Sequence, residues 1–136
     1  MQKIPFETIQ ASINKTDYDF PTLICDYQLR SPEMIVKYEV LKLEIKKNGK
    51  TNEQVIREQV FKNGEIFGSE KAKITYDLIE IRFHYILWVN SNDQETIRKA
   101  IEFEKQGLAG ETYEFFQNES KNKSVPGITH FHFLVK

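Results

Sequence analysis

The sequence predicts an α+β fold, on three observations. The run Lys73 to Asn90 alternates apolar and polar residues at period two, the mark of a half-buried strand. Two Asn-Gly pairs, Asn48-Gly49 and Asn63-Gly64, stand between runs that read as strands. After Asn90 the period changes to a helical one behind a cap. Together these predict a mostly antiparallel sheet, a meander with Asn-Gly hairpins. It would be packed on one face by helices from the N-terminus and from residues ~93–118, and closed by a C-terminal strand.

The elements follow in chain order. Pro5 to Ile13 spaces Phe6, Ile9 and Ile13 at helical intervals behind an early proline, which a first helical turn tolerates. Residues 17–21 break that helix. Thr22 to Leu29 reads as a strand ended by Arg30-Ser31-Pro32. In the next stretch two periods compete. Ser31-Pro32-Glu33 has the form of a helix cap, and Met34, Tyr38, Leu41 and Ile45 would share a helical face. Lys37, Glu39, Lys42, Glu44 and Lys46 would then surround the helix and leave no clean apolar stripe. A strand accounts for Val36, Tyr38 and Val40, then for Leu43 and Ile45, with a one-residue slip at Val40-Leu41 that a β-bulge would produce.

Residues 52–61 read as a strand between the two Asn-Gly turns, although Thr51-Asn52-Glu53-Gln54 would also cap a short helix. Within Lys73 to Asn90, one face is Ile79, Ile81, Phe83, Tyr85, Leu87 and Val89. The other is Glu80, Arg82, His84, Ile86 and Trp88. Ser91-Asn92-Asp93 caps a helix running to about Gln106, and residues 111–118 predict a second short helix. The last strand, Ile128 to Val135, sets Phe131, Phe133 and Val135 against His130 and His132.

The bulk numbers bound what this chain does. A length of 136 residues fits a single α+β domain spanning 1–136. With 40% hydrophobic and 29% charged residues it lies far from the composition of disordered chains. Nineteen basic against twenty acidic residues, a net charge of −1, exclude a general basic field and leave nucleic acid only a local patch. One cysteine, Cys25, rules out an intrachain disulfide. The first residues hold no apolar run of signal-peptide type, and the longest apolar run, Tyr85 to Val89, is far too short to span a bilayer. The expectation is a soluble cytoplasmic chain without membrane contact or cofactor. Its richness in Lys, Asn, Ile and Glu suggests a low-GC bacterium or its phage.

One constellation could carry chemistry. If the long strand and the last strand share a sheet, burying their apolar faces brings Glu80, Arg82, His84, His130 and His132 to one exposed side. Phosphodiester cleavage needs a base, an acid and a cation for phosphate charge, and Glu80 or a histidine, another histidine and Arg82 could supply them. His130-x-His132 with His84 is a weak metal-ligand pattern, since no cysteine or third fixed ligand stands in the motif. Against both stands the ordinary solvated face of a strand. Trp88, if exposed, would mark a binding surface, and Lys46, Lys47 and Lys50 form a basic turn that could meet an acidic partner or nucleic acid.

No catalytic motif outweighs the bland reading. The sequence therefore points first to a non-enzymatic binding or assembly protein (an inhibitor, adaptor, or virion or complex component) acting through its sheet surface, with a protein partner or self-association. A small hydrolase using the Glu/Arg/His face is the alternative.

Overall fold

The computed structural model describes residues 2–15 and 20–136, so the break expected at residues 17–21 falls largely outside the described residues. In chain order, α1 (Phe6–Ala11), β1 (Ile13–Asn14) and β2 (Thr22–Leu23) precede α2 (Pro32–Lys47) and α3 (Asn52–Val60). Then come β3 (Phe67–Lys71), β4 (Phe83–Val89), α4 (Gln94–Gly107), β5 (Tyr113–Asn118) and β6 (Thr129–Val135). The fold is α+β.

The strands form a sheet of order β1-β2-β5-β6-β4-β3. β6 lies inside it, antiparallel to β4 from Phe83↔Val135 to Val89↔Thr129 and to β5 from Tyr113↔Val135 to Phe116↔His132. β2 runs parallel to β5, so the sheet is mixed and not the antiparallel meander the sequence predicts.

The Asn-Gly pairs do not make hairpins. Asn48-Gly49 joins α2 to α3, and Asn63-Gly64 joins α3 to β3. The sequence signal is for positive φ, and both glycines have it, at 75° and 77°. Here that backbone follows the C-cap Asn48 of α2 at Gly49, and at Gly64 it ends the turn after α3, whose C-cap is Phe61.

Helix α2 replaces the bulged strand predicted over residues 36–45. Ser31 is its N-cap, accepting from the Met34 amide at 3.2 Å, and Pro32 takes the first turn. The Asp77 carboxylate binds both the Ser31 amide, at 2.8 Å, and its hydroxyl, which pins the helix start to the segment before β4. α3 replaces the strand predicted over 52–61, started by a full capping box between Thr51 and Gln54. β5 replaces the helix predicted over 111–118. The strands predicted at 22–29 and 73–90 shrink to Thr22–Leu23 and Phe83–Val89.

Helices cover both faces of the sheet, where one covered face was expected. Ile97, Ala100 and Ile101 of α4 pack on Leu87, Val89, Phe131 and Phe133. On the other face, Phe6 and Ile9 of α1 pack with Tyr76, Ile79, Phe116 and Leu134. Beside them Ile56, Val60 and Phe61, from α3 and its end, meet Ile86, Trp88, Val125 and Ile128. The histidines lie between these two clusters.

Candidate functional site

β4 and β6 are neighbours, in the register Ile86↔His132 and Trp88↔His130. With side chains alternating across each strand, His84, Trp88, His130 and His132 all project from the face opposite α4. That face is not open to solvent. His84, His130 and His132 are 4%, 3% and 4% exposed. The expected exposed side shared by five residues is thus corrected. α3 and the segment carrying Tyr76 cover the histidines, while Glu80 and Arg82 precede β4 and are exposed. Arg82 is engaged with Glu111 at 2.7 Å.

Burial imposes a strict hydrogen-bond pattern on the histidines. The Tyr76 amide donates to His84 Nδ1 at 3.3 Å, so the proton of neutral His84 resides on Nε2. That proton is donated to His132 Nδ1 at 2.9 Å. His132 then carries its own proton on Nε2, which has Tyr76 Oη at 3.5 Å and the side-chain amide of Asn118 at 3.2 Å. A donor at Nε2 needs an acceptor opposite it. Exchanging the Asn118 amide nitrogen and oxygen supplies one, and the same oxygen then accepts from the Tyr76 hydroxyl at 3.0 Å. The outcome is a one-way relay from the Tyr76 backbone through His84 and His132 to Asn118, with the Thr75 hydroxyl 3.2 Å from His84 Nδ1.

Every histidine in the cluster is held neutral. Burial, and then the nearby Arg30 charge, push His84 down to about 3. His132 is driven well below its ordinary value by burial, then by His84, His130 and Arg30. Burial also lowers His130, whose Nδ1–H donates to the Ile128 carbonyl at 2.8 Å. Rings pack closely, Tyr76 stacked on His84 at 4.5 Å, Phe116 stacked on His132 at 5.6 Å and Trp88 tilted against His130 at 4.6 Å between centroids. Among the described residues no group of three His, Cys, Asp or Glu side chains is placed to hold a metal ion.

The relay ends at a surface cleft of about 420 Å³, whose lining includes Tyr76, Asn118, Arg30, Cys25 and Lys121. Arg30 lies over the Tyr76 ring, 4.5 Å from its centroid, and donates from Nε to the Ile74 carbonyl at 3.1 Å. Cys25 is half-buried, and burial raises its pKa, so no reactive thiolate forms there.

No family model matches this chain, and no curated protein matches it significantly. A solved structure, the crystal structure of HTC1, is similar in fold at 19% identity and a TM-score of 0.50. The match covers 78% of this chain and 74% of that one. The likeness is one of fold alone.

The expected binding residues take different places. Trp88 is buried, with Nε1 donating to Glu70 at 3.3 Å, so it belongs to the core and does not mark a surface. Lys46 and Lys47 form the last turn of α2, where cations suit the helix dipole, and Lys50 pairs with Glu58 at 2.6 Å. No helix among the described residues is long and apolar enough to cross a membrane.

The exposed apolar surface is elsewhere. α2 turns Tyr38, Leu41 and Ile45 toward the sheet, over a cavity they share with Ile86 and Trp88. It turns Val36, Val40 and Leu43 outward, at 62%, 49% and 66% exposure. Sequence reasoning misses this stripe and the Tyr76, Asn118 and Arg30 contacts. The stripe has a signal, the spacing 33-36-40-43-47, but that signal is absorbed into the alternation of a strand. The contacts have none, because they join segments far apart in sequence.

Proposed function

We propose that the chain is a non-enzymatic assembly protein that pairs with a second copy of itself through α2. One observation carries the reading: Glu33, Val36, Val40, Leu43 and Lys47 recur at spacings of three and four, a heptad seam on the outer side of the helix. Its centre is apolar and its ends have opposite charge. Among the described residues neither Glu33 nor Lys47 has an ion-pair partner, whereas Glu39 and Lys42 on the same helix pair at 3.0 Å. Such a seam is self-complementary when two copies run antiparallel about a two-fold axis beside Val40, because Glu33 of each copy then meets Lys47 of the other. Parallel pairing would stack like charges. Three apolar side chains a copy make a small contact, so the dimer dissociates on the order of 10–100 µM. The contact is on a helix, since both sheet faces are covered. Cytoplasmic residence belongs to the same reading.

Sedimentation equilibrium tests it. The wild type should approach dimer mass at high micromolar concentration, and Leu43→Glu should be monomeric throughout. Glu33→Lys and Lys47→Glu should each weaken pairing about tenfold, and the double exchange should restore it. A monomeric wild type, or a double variant no better than the singles, rejects the antiparallel pair.

A small hydrolase using Glu80, Arg82, His84, His130 and His132 remains the second reading. It is favoured by the His84–His132 bond and by a relay that ends at a cleft, and opposed by the neutrality of all three rings. Loss of ribonuclease or phosphodiesterase turnover in His132→Gln, in a protein that has such turnover, would support it. No turnover by the wild type would remove it.

A further inference from the structure

We propose that the cavity beneath α2 binds a small hydroxylated aromatic ring, a phenol, whose hydroxyl donates to His130 Nε2. The cavity lies between the sheet and the helices α2 and α3. Ile86, Trp88 and His130 form its floor, and Leu41 and Ile45 of α2 stand over them with Ile56 of α3. The strand register agrees with that placement. Trp88 pairs with His130 and Ile86 with His132, so all four side chains project from the face opposite α4.

One polar atom decides the ligand. His130 is 3% exposed, and its Nδ1 lies 2.8 Å from the Ile128 carbonyl, an oxygen that can only accept. Burial holds the ring neutral, so its single proton is on Nδ1 and Nε2 carries a lone pair. Among the described residues nothing donates to that lone pair, whereas both ring nitrogens of His84 and of His132 are engaged. Nor is Nε2 sealed off. Among the described residues, no fully buried side-chain nitrogen or oxygen lacks a hydrogen-bond partner, so Nε2 retains accessible surface. In a ring placed this deep, that surface faces the cavity whose floor the ring forms.

Size and wall chemistry set the rest of the guest. The cavity holds about 110 Å³. An apolar cavity of about 150 Å³ takes up benzene, so the guest here is a single ring. The rings of Tyr38, Trp88 and His130 border the space, and edge-to-face or offset contacts with them favour an aromatic guest over an aliphatic one. Lys42, Lys73 and Ser124 line the same cavity and are exposed, which marks where it meets solvent. The site lies on the inner side of α2 and does not depend on two copies pairing through the outer side.

Backbone amide and imidazole nitrogen spectra of the full chain test this while phenol or fluorobenzene is added. Fluorobenzene is a ring of nearly the same size with no hydrogen to donate. Phenol should shift the amides of residues 38–45, 56 and 86–88 and move the His130 Nε2 resonance. Fluorobenzene should bind at the same residues at least tenfold more weakly and leave Nε2 in place. Ile45→Trp, at a half-buried position, should fill the space and remove binding of both. Should that variant fail to fold, the contrast between the two ligands on the wild type still decides. Leu43→Glu, on the outer side of α2, should bind phenol as the wild type does. Absence of shifts with phenol would overturn the proposal. Equal binding of the two ligands, or a His130 Nε2 resonance that phenol leaves unmoved, would overturn the hydrogen bond and with it the phenol assignment. Loss of phenol binding in Leu43→Glu would reject this cavity as the site, while leaving the pairing through α2 to its own test.

Discussion

Acidification should unfold this protein before its carboxylates protonate. The folded state keeps His84 neutral down to about 3, and His132 well below the ordinary 6.5, whereas the unfolded chain protonates both near 6.5. Below 6.5 the unfolded state therefore binds more protons than the folded one. Stability is complete above that pH and falls as pH drops toward His84's folded value. His84 contributes a loss of about 1.4 kcal/mol per pH unit in this window. Going from about pH 6.5 to about pH 5, His84 alone accounts for roughly 2 kcal/mol, and His132 and His130 act in the same direction. A domain of this size has about 5–15 kcal/mol to lose. The lowered carboxylates, Asp77, Asp93, Glu7 and Glu65, start from 3.8 or 4.5 and act only below those values, so the higher window belongs to the histidines. Urea unfolding at a series of pH values, read by fluorescence of the single tryptophan, Trp88, measures the loss directly. A urea midpoint unchanged between about pH 7.5 and about pH 5, or imidazole resonances titrating near 6.5 in the folded protein, would refute the buried neutral relay.

Other substitutions probe separate layers. Phe133 is fully buried and stacks with Tyr85 at 5.0 Å and Phe115 at 5.3 Å, so Phe133→Ala should cost about 3–5 kcal/mol in urea unfolding. Asp93 caps α4 by accepting from the Thr96 amide at 2.9 Å and its hydroxyl at 2.8 Å. Asp93→Ala should cost about 1 kcal/mol, seen as a lower thermal midpoint with unchanged far-ultraviolet dichroism. Gly64 has φ of 77° with nothing near the site of a Cβ. Gly64→Ala should therefore cost about 1 kcal/mol from backbone strain alone, and Gly64→Asn distinctly less, by the same unfolding measurement.

The central sheet is legible where a strand declares itself without help. β4 and β6 alternate cleanly, and the need to bury one face of each is enough to bring the three histidines together. α4 is legible from its cap and stripe. α2 is not, because it carries apolar residues on two sides, Tyr38, Leu41 and Ile45 inward and Val36, Val40 and Leu43 outward. Two helical stripes interleaved in one sequence imitate period-two alternation with a slip, and the slip reads as a bulge. The error propagates. With α2 and α3 taken for strands, nothing remains to cover the histidine face, which places those rings in solvent. β5 escapes for a different reason: its partners, β2 and β6, lie elsewhere in the chain, and aromatic residues in a short segment fit helix and strand alike.

The position of β6 has a consequence for how the chain acquires its fold. Among the described residues β6 is the one strand that joins β1-β2-β5 to β4-β3, and it spans residues 129–135. Until those residues are available, the two groups of strands share no ladder, and β4 and β5 each present an unpaired edge. During vectorial synthesis the apolar faces of β4 and β5 must therefore wait, together with α4 between them in sequence, for a strand made later than any of them. Such long-range closure slows folding and leaves aggregation-prone edges open in the interval. Chains interrupted before residue 129 would be clients for chaperones and proteases, not partially working proteins.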